Sequence, residues 1–316
     1  MKKSLTLLAV LLLLCLFLLV GCGRTNGTNE AVDSNGAEGT AAPVIVTDQM
    51  GREVTITGIP ERIISLSPSN TEMIFALGLG DRLVGITEFC NYPPEVQGKE
   101  VVGGFADPNL EIILELGPNL VLASTFHKEA VLALEQHGIP VLVVESPTLA
   151  ELYRSISLVA EVTGAVAAGE ALVAQMQQRI QAVEKVVAVI DQEDRVRVYF
   201  EVYSDPMMSA GPGVFIHEII SLAGGVNIFG DVAENYPMVS AEVVAVRQPQ
   251  VILLPDYHGA AETLLAEMAG RPGWENVPAL QNNRIHTVVA DIFSRPGPRI
   301  VEAVESAARL FYPELF

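Results

Sequence analysis

Leu149 to Ile190 reads LAELYRSISLVAEVTGAVAAGEALVAQMQQRIQAVEKVVAVI and contains no strand candidate. Ala and Val are the commonest residues, followed by Leu, Glu and Gln. Leu172, Val173, Met176, Ile180, Val183 and Val187 recur at helical spacing. Gly164 divides the segment into a shorter helix and one of about 25 residues, which would span roughly 38 Å. A core helix would have the same composition. The position of this one, at the junction of two strand-rich halves, favours a bridge between lobes.

On either side, short apolar runs alternate with helical patterns. Strand candidates before the bridge are 44–46, 54–56, 63–66, 83–86, 120–123 and 141–144, with helices at 69–77, 110–116 and 128–137. After it come strands 196–203, 251–254 and 285–289, helices 214–223, 241–246 and 261–268, and a last helix near 298–310. Such alternation predicts βαβ units, hence an α/β fold of two Rossmann-like lobes with mostly parallel sheets. The expected organisation is a lobe over 43–148, the interlobe helix over 149–190 and a second lobe over 191–316.

The halves echo each other. Asn109-Leu-Glu111 leads through Pro118 into Leu120-Val-Leu122, and Ser240-Ala-Glu242 leads through Pro249 into Val251-Ile-Leu253. Asn109 and Ser240 both suit an N-cap, which puts each Glu in a first helical turn. Two related lobes facing each other make a cleft, where ligands tend to sit.

The N-terminus adds a compartment. Lys2 and Lys3 precede an apolar run of about 16 residues that ends in Leu19-Val-Gly-Cys22. A basic start, a short apolar core and small residues before a cut site form a secretory signal, expected over 1–21. The run is short for a membrane span, which needs roughly 20 residues. The tetrad resembles a bacterial lipobox, which implies lipidation at Cys22 and a membrane anchor. Residues 22–42 carry almost no large apolar group and read as a flexible tether. Cys15 leaves with the signal and Cys22 takes lipid, so Cys90 has no disulfide partner.

The formal net charge is −19, which excludes nucleic acid as a partner held by backbone charge. The five histidines are scattered without HxH or HExxH, so no metal site is expected, although His127 and His258 could each ligate haem iron or cobalt. No GxGxxG after a strand, GxxxxGK[ST] or GxSxG occurs, which argues against an enzyme.

Arg62-Ile-Ile-Ser-Leu-Ser-Pro-Ser-Asn-Thr-Glu72, Cys90-Asn-Tyr-Pro-Pro94, Val102-Gly-Gly104, Ala223-Gly-Gly-Val-Asn-Ile-Phe229 and Arg295-Pro-Gly-Pro-Arg-Ile300 resemble the cobalamin-binding proteins of ABC importers. The likeness runs over about residues 43–312 and extends to the haem and ferric-siderophore receptors of the same class. It implies an extracytoplasmic, monomeric receptor that works with a permease and its ATPase, needs no cofactor and carries a corrinoid. Haem or a ferric siderophore is the alternative cargo. It also implies that Glu111 and Glu242 dock into arginine pockets of the permease. Their other reading is that they favour a helix N-terminus. Phe105 and Tyr236, each six residues before one of these glutamates, and Tyr92 are the implied aromatic walls of the cleft. The only Trp, Trp274, is expected outside it. Ser67, Pro68, Phe126, Asp291 and Phe293, at or beyond strand ends, complete the candidate ligand-binding set.

Overall fold

The computed structural model describes residues 42–257 and 261–316. The signal and the tether up to residue 41, with the Cys22 lipidation expectation, lie outside the described residues, as does His258.

The described chain opens with an antiparallel hairpin, β1 (Val44–Thr47) and β2 (Glu53–Ile56). Asp48 forms its turn, where its Oδ1 accepts from the backbone N–H groups of Met50 and Arg52, both at 3.0 Å. These strands stay apart from the parallel sheets because an Asx turn folds them onto each other.

The N-terminal lobe follows as β3 (Ile63–Ser65), α1 (Pro68–Ala76), β4 (Leu83–Ile86), β5 (Glu100–Val101), α2 (Leu110–Leu116), β6 (Leu120–Ala123), α3 (Lys128–Gln136) and β7 (Val141–Val143). Its sheet is wholly parallel in the order β5-β4-β3-β6-β7. β3, β6 and β7 are buried at every residue, as parallel strands covered on both faces must be.

Two helices connect the lobes: α4 (Leu149–Val162) and α5 (Val166–Val187). Gly164 separates them with φ of 71°, a left-handed conformation that only glycine adopts without strain. α5 has 22 residues, a span of about 33 Å.

The C-terminal lobe comprises β8 (Arg197–Ser204), β9 (Met207–Ser209), α6 (Phe215–Leu222), β10 (Val226–Asn227), α7 (Ala241–Val246), β11 (Val251–Asp256), α8 (Ala261–Ala269), α9 (Pro278–Gln281), β12 (Ile285–Val289), α10 (Ala290–Ser294) and α11 (Ile300–Phe311). Its sheet order is β10-β8-β11-β12, all parallel, with β9 folded antiparallel on β8.

α5 packs against α4, α6 and α11. Its buried Met176, Ile180, Val183 and Val187 belong to one continuous apolar core, which runs from Ile63 and Met73 of the first lobe to Ile220 and Phe311 of the second. A hinge would have to tear this core, and packed interiors do not deform continuously. The two lobes therefore form a stiff pair.

Candidate ligand-binding site

In the first sheet the chain reverses its direction of growth at β3. β4 and β5 lie on one side, β6 and β7 on the other. In open α/β sheets the crevice at the carboxyl ends of such strands receives ligands. A cavity of about 400 Å³ lies there. Ser67 and Pro68 line it beyond β3, Thr125 and Phe126 beyond β6, and Glu145 and Ser146 beyond β7. Ser294, Arg295 and Pro296 close it from the second lobe.

Ser67 is the N-cap of α1. Its hydroxyl accepts from the Asn70 backbone N–H at 3.4 Å and lies 3.2 Å from the Ser69 hydroxyl. The aromatic wall is built around His127. Phe105 stacks on Phe126 with ring centroids 5.3 Å apart and 25° between planes, and His127 meets Phe105 edge-on at 4.9 Å. The His127 Nδ1 accepts from the Ser124 backbone N–H at 3.0 Å, so its Nε2 carries the proton and donates to the Phe105 carbonyl at 2.7 Å. His127 thus clamps the loop that carries Phe105. Burial holds its pKa below the ordinary value, and the neutral ring is the form this clamp requires. With both ring nitrogens committed, His127 is not a ligand for haem iron or cobalt. Phe126 is 63% exposed, an uncommon solvent-facing position for a phenyl ring.

One cation and one acid face this cavity. Glu145 accepts from the Thr125 N–H at 3.1 Å and its hydroxyl at 2.9 Å. Arg295 is fixed by Asp291 at 2.9 Å, Asn91 Oδ1 at 2.7 Å and the Phe89 carbonyl at 3.2 Å. Asp291 also accepts from Asn91 Nδ2 at 3.0 Å, so it acts here by orienting Arg295 across the lobe boundary.

Ser67, Pro68, Phe105 and Phe126 meet at this cavity. The other candidates do not join them. Tyr92 lies under the Arg299 guanidinium, 3.7 Å from ring centroid to Cζ, and lines a different cavity with Phe75, Leu172 and Met176 of α1 and α5. Tyr236 is half-exposed on the second lobe, beside a depression lined by Phe229 and Val243. Burial, and secondarily Tyr257, raise its pKa.

Phe293 lies outside the cavity, contrary to the strand-end expectation. It is fully buried and packs on Phe200 with centroids 5.8 Å apart. The one-turn helix α10 turns Ile292 and Phe293 inward and leaves Asp291 and Ser294 outward, which a strand-end reading misses. Phe215 is likewise buried, and Met207 packs in the second lobe's core. Trp274 is fully buried, its Nε1–H donating to the Ala241 carbonyl at 2.9 Å.

Nothing in the sequence alone marks Glu145, Thr125 and Ser146 as site residues. Polar residues after strands are common, and only the sheet order reveals which of them converge.

Glu111 and Glu242 are the second residues of α2 and α7, and both are exposed. Asn109 Oδ1 accepts from the Glu111 N–H at 3.0 Å, and the Ser240 hydroxyl accepts from the Val243 N–H at 3.4 Å. The Ser240 hydroxyl holds the Glu242 pKa below the usual value. α2 leads into β6 and α7 into β11, so each N-terminus lies at the carboxyl end of its sheet, on the rim of the cleft. Among the described residues, no group of three His, Cys, Asp or Glu could hold a metal ion, and no helix is long and apolar enough to cross a membrane.

The family model described as periplasmic binding protein matches residues 63–291, and the chain belongs to that family. That places it among the extracytoplasmic substrate-binding proteins of ABC transporters and not among enzymes. It is 32% identical to the uncharacterized ABC transporter substrate-binding lipoprotein YvrC of Bacillus subtilis, over 100% of this chain and 99% of that protein. The crystal structure of the periplasmic vitamin B12 binding protein BtuF of Vibrio cholerae matches with a TM-score of 0.68 at 32% identity, covering 80% of this chain and 97% of that one. The periplasmic heme-binding protein RhuT from Roseiflexus sp. RS-1 matches with a TM-score of 0.72 at 29% identity, covering 81% and 99%.

Proposed function

We propose that this protein is a lipid-anchored receptor that binds a corrinoid, cobalamin in the first place, between its lobes and delivers it to the permease of an ABC importer. The stacked Phe105–Phe126 pair at the sheet's switch point is the observation that carries the reading. A corrin is a broad disk with an apolar face and an amide-bearing rim. Flat aromatic rings suit the face, and Ser67, Thr125, Glu145 and Arg295 offer hydrogen bonds to the rim. The likeness to vitamin B12-binding proteins supports the same cargo. The committed ring nitrogens of His127 remove this residue as an axial ligand for haem. Tyr236, across the lobe boundary, is the second aromatic wall.

Cys22 carries the lipid, residues 22–42 are the tether, and the receptor acts as a monomer. Glu111 and Glu242, exposed at matched places on the cleft rim, form bidentate pairs with permease arginines and so set the docking orientation.

A spectral titration of the detergent-solubilised full chain with cyanocobalamin, cobinamide, haemin and a ferric siderophore tests the cargo. Saturation by a corrinoid at one per chain is expected. Saturation by haemin or a siderophore alone would leave a receptor of this class with a different cargo.

A further inference from the structure

The chain carries twice as many acids as bases, 38 against 19. Against that background, three arginines converge on one cavity of about 430 Å³ in the second lobe, at the end of the sheet opposite the cleft. Arg195 lies just before β8 and Arg197 begins it, Arg247 caps the carboxyl end of α7, and Asp231 is the only acid lining the cavity among the described residues.

The first lobe serves as an internal control. Arg62 enters β3 and donates from Nε to the Leu116 carbonyl at 3.1 Å. Arg197 enters β8 and donates from Nε to the Arg247 carbonyl at 3.2 Å. The Arg62 N–H donates to Asn119 Oδ1 at 3.0 Å, and the Arg197 N–H to Gln250 Oε1 at 2.9 Å. With this register, Pro60 corresponds to Arg195 and Leu116 to Arg247. The shared scaffold therefore needs one arginine at this place. The other two are additions of the second lobe.

Their donors are only partly used. Arg247 spends Nη1 on Asp231 and the Ile228 carbonyl. The Arg195 Nε is buried and has no hydrogen-bond partner among the described residues. An unpaired guanidinium N–H is costly, and because Nε is itself enclosed by protein, an acceptor from outside the chain is met by the part of Arg195 that lines the cavity. His217 also lines the cavity. Its Nδ1 accepts from Asn227 Nδ2 at 3.3 Å, which leaves the ring proton on Nε2.

We propose that this cavity is a binding site for a phosphate-type oxyanion, held by Arg195, Arg197 and Arg247 with His217 Nε2 as a neutral donor. Guanidinium groups suit such an anion because their planar forks match its oxygens. The anion is either free in solution or the headgroup of an anionic lipid.

Calorimetric titration of the detergent-solubilised full chain with inorganic phosphate, at fixed ionic strength and with chloride as control, tests the site. Saturable phosphate binding is expected, and Arg195→Ala should weaken it about tenfold or more. Arg195→Ala removes no hydrogen bond within the described chain, so its circular dichroism and cargo binding should match the parent. Phosphate should also shift the His217 imidazole resonances. A second arm titrates the same chain with soluble short-chain phosphatidylglycerol and, as control, short-chain phosphatidylcholine, so that membrane insertion through the anchor does not contribute. Saturable binding of the former alone, tighter than that of inorganic phosphate and weakened by Arg195→Ala, identifies the headgroup as the source. Absence of both phosphate and phosphatidylglycerol binding overturns the proposal, and so does binding that Arg195→Ala leaves unchanged.

Discussion

The carboxylate of Glu72 in the first lobe is gripped by the guanidinium of Arg299 from the second, at 2.9 Å from Nε to Oε2 and 2.6 Å from Nη2 to Oε1. Arg295 approaches the same carboxylate at 3.4 Å, and Glu72 is only 4% exposed. Helix α1 of the first lobe and the N-cap residue of α11 in the second are thus tied by a bidentate ion pair. Removing one partner of a buried pair leaves charge without compensation. Glu72→Ala should therefore lower stability by about 3 kcal/mol, the lower end of the range because the arginines keep some solvent contact. Urea unfolding gives the value. A loss well below about 1 kcal/mol would mean that the pair is solvated in solution.

Phe293 and Phe105 separate packing from recognition. Phe293→Ala empties a fully buried site and should cost about 3–5 kcal/mol in unfolding free energy. Its cargo affinity, measured well below the unfolding transition, should change little. Phe105→Ala should do the reverse, weakening cargo binding with a smaller loss of stability.

Acid should destabilise the protein in two stages. Burial lowers the pKa of His127, His217 and His286 from 6.5. The unfolded chain then takes up protons that the folded one refuses. Stability is at its full value above about pH 6.5 and declines as pH falls below it. Glu305, held low chiefly by its hydrogen bond from Arg179, adds a loss only below about pH 4.5. Urea midpoints at pH 7.5 and 5.5 isolate the histidine stage. Replacing His127 by Gln should shrink that difference, and an equal or larger difference would contradict the account.

On the proposed docking role, Glu111 and Glu242 should affect transport alone. Glu111→Ala and Glu242→Ala remove exposed carboxylates, so unfolding midpoints and cargo affinity should stay at parental values. Stimulation of the importer's ATPase by the loaded receptor should fall with each and further with both. Unchanged stimulation by the double variant would reduce these residues to helix-terminal charges.

Much of this architecture is legible in the sequence because it is repeated and periodic. The short apolar runs that begin at Ile63, Leu120 and Val251, each bounded by polar or turn residues, read as buried parallel strands, and Gly164 marks the break before the long helix. The matched glutamates and aromatics are visible because the lobes echo each other. The short elements are not visible. β5, β9 and β10 have two or three residues each, too few to show a period, and α10 hides in a stretch that continues a strand. Those gaps misplace Phe293. The Tyr-Pro-Pro motif points Tyr92 to the cleft, whereas the partner that positions it, Arg299, is 207 residues away and known only from packing. The clamp by His127 on Phe105 is tertiary in the same sense.

The most direct measurement is calorimetric titration of cyanocobalamin into the full chain and into Phe105→Ala with Phe126→Ala. The account predicts one corrinoid per chain for the parent and a loss of at least about tenfold in affinity for the double variant, with its fold intact. Corrinoid binding that survives removal of both rings would contradict the assignment of this cavity. Absence of corrinoid binding by the parent would contradict the cargo.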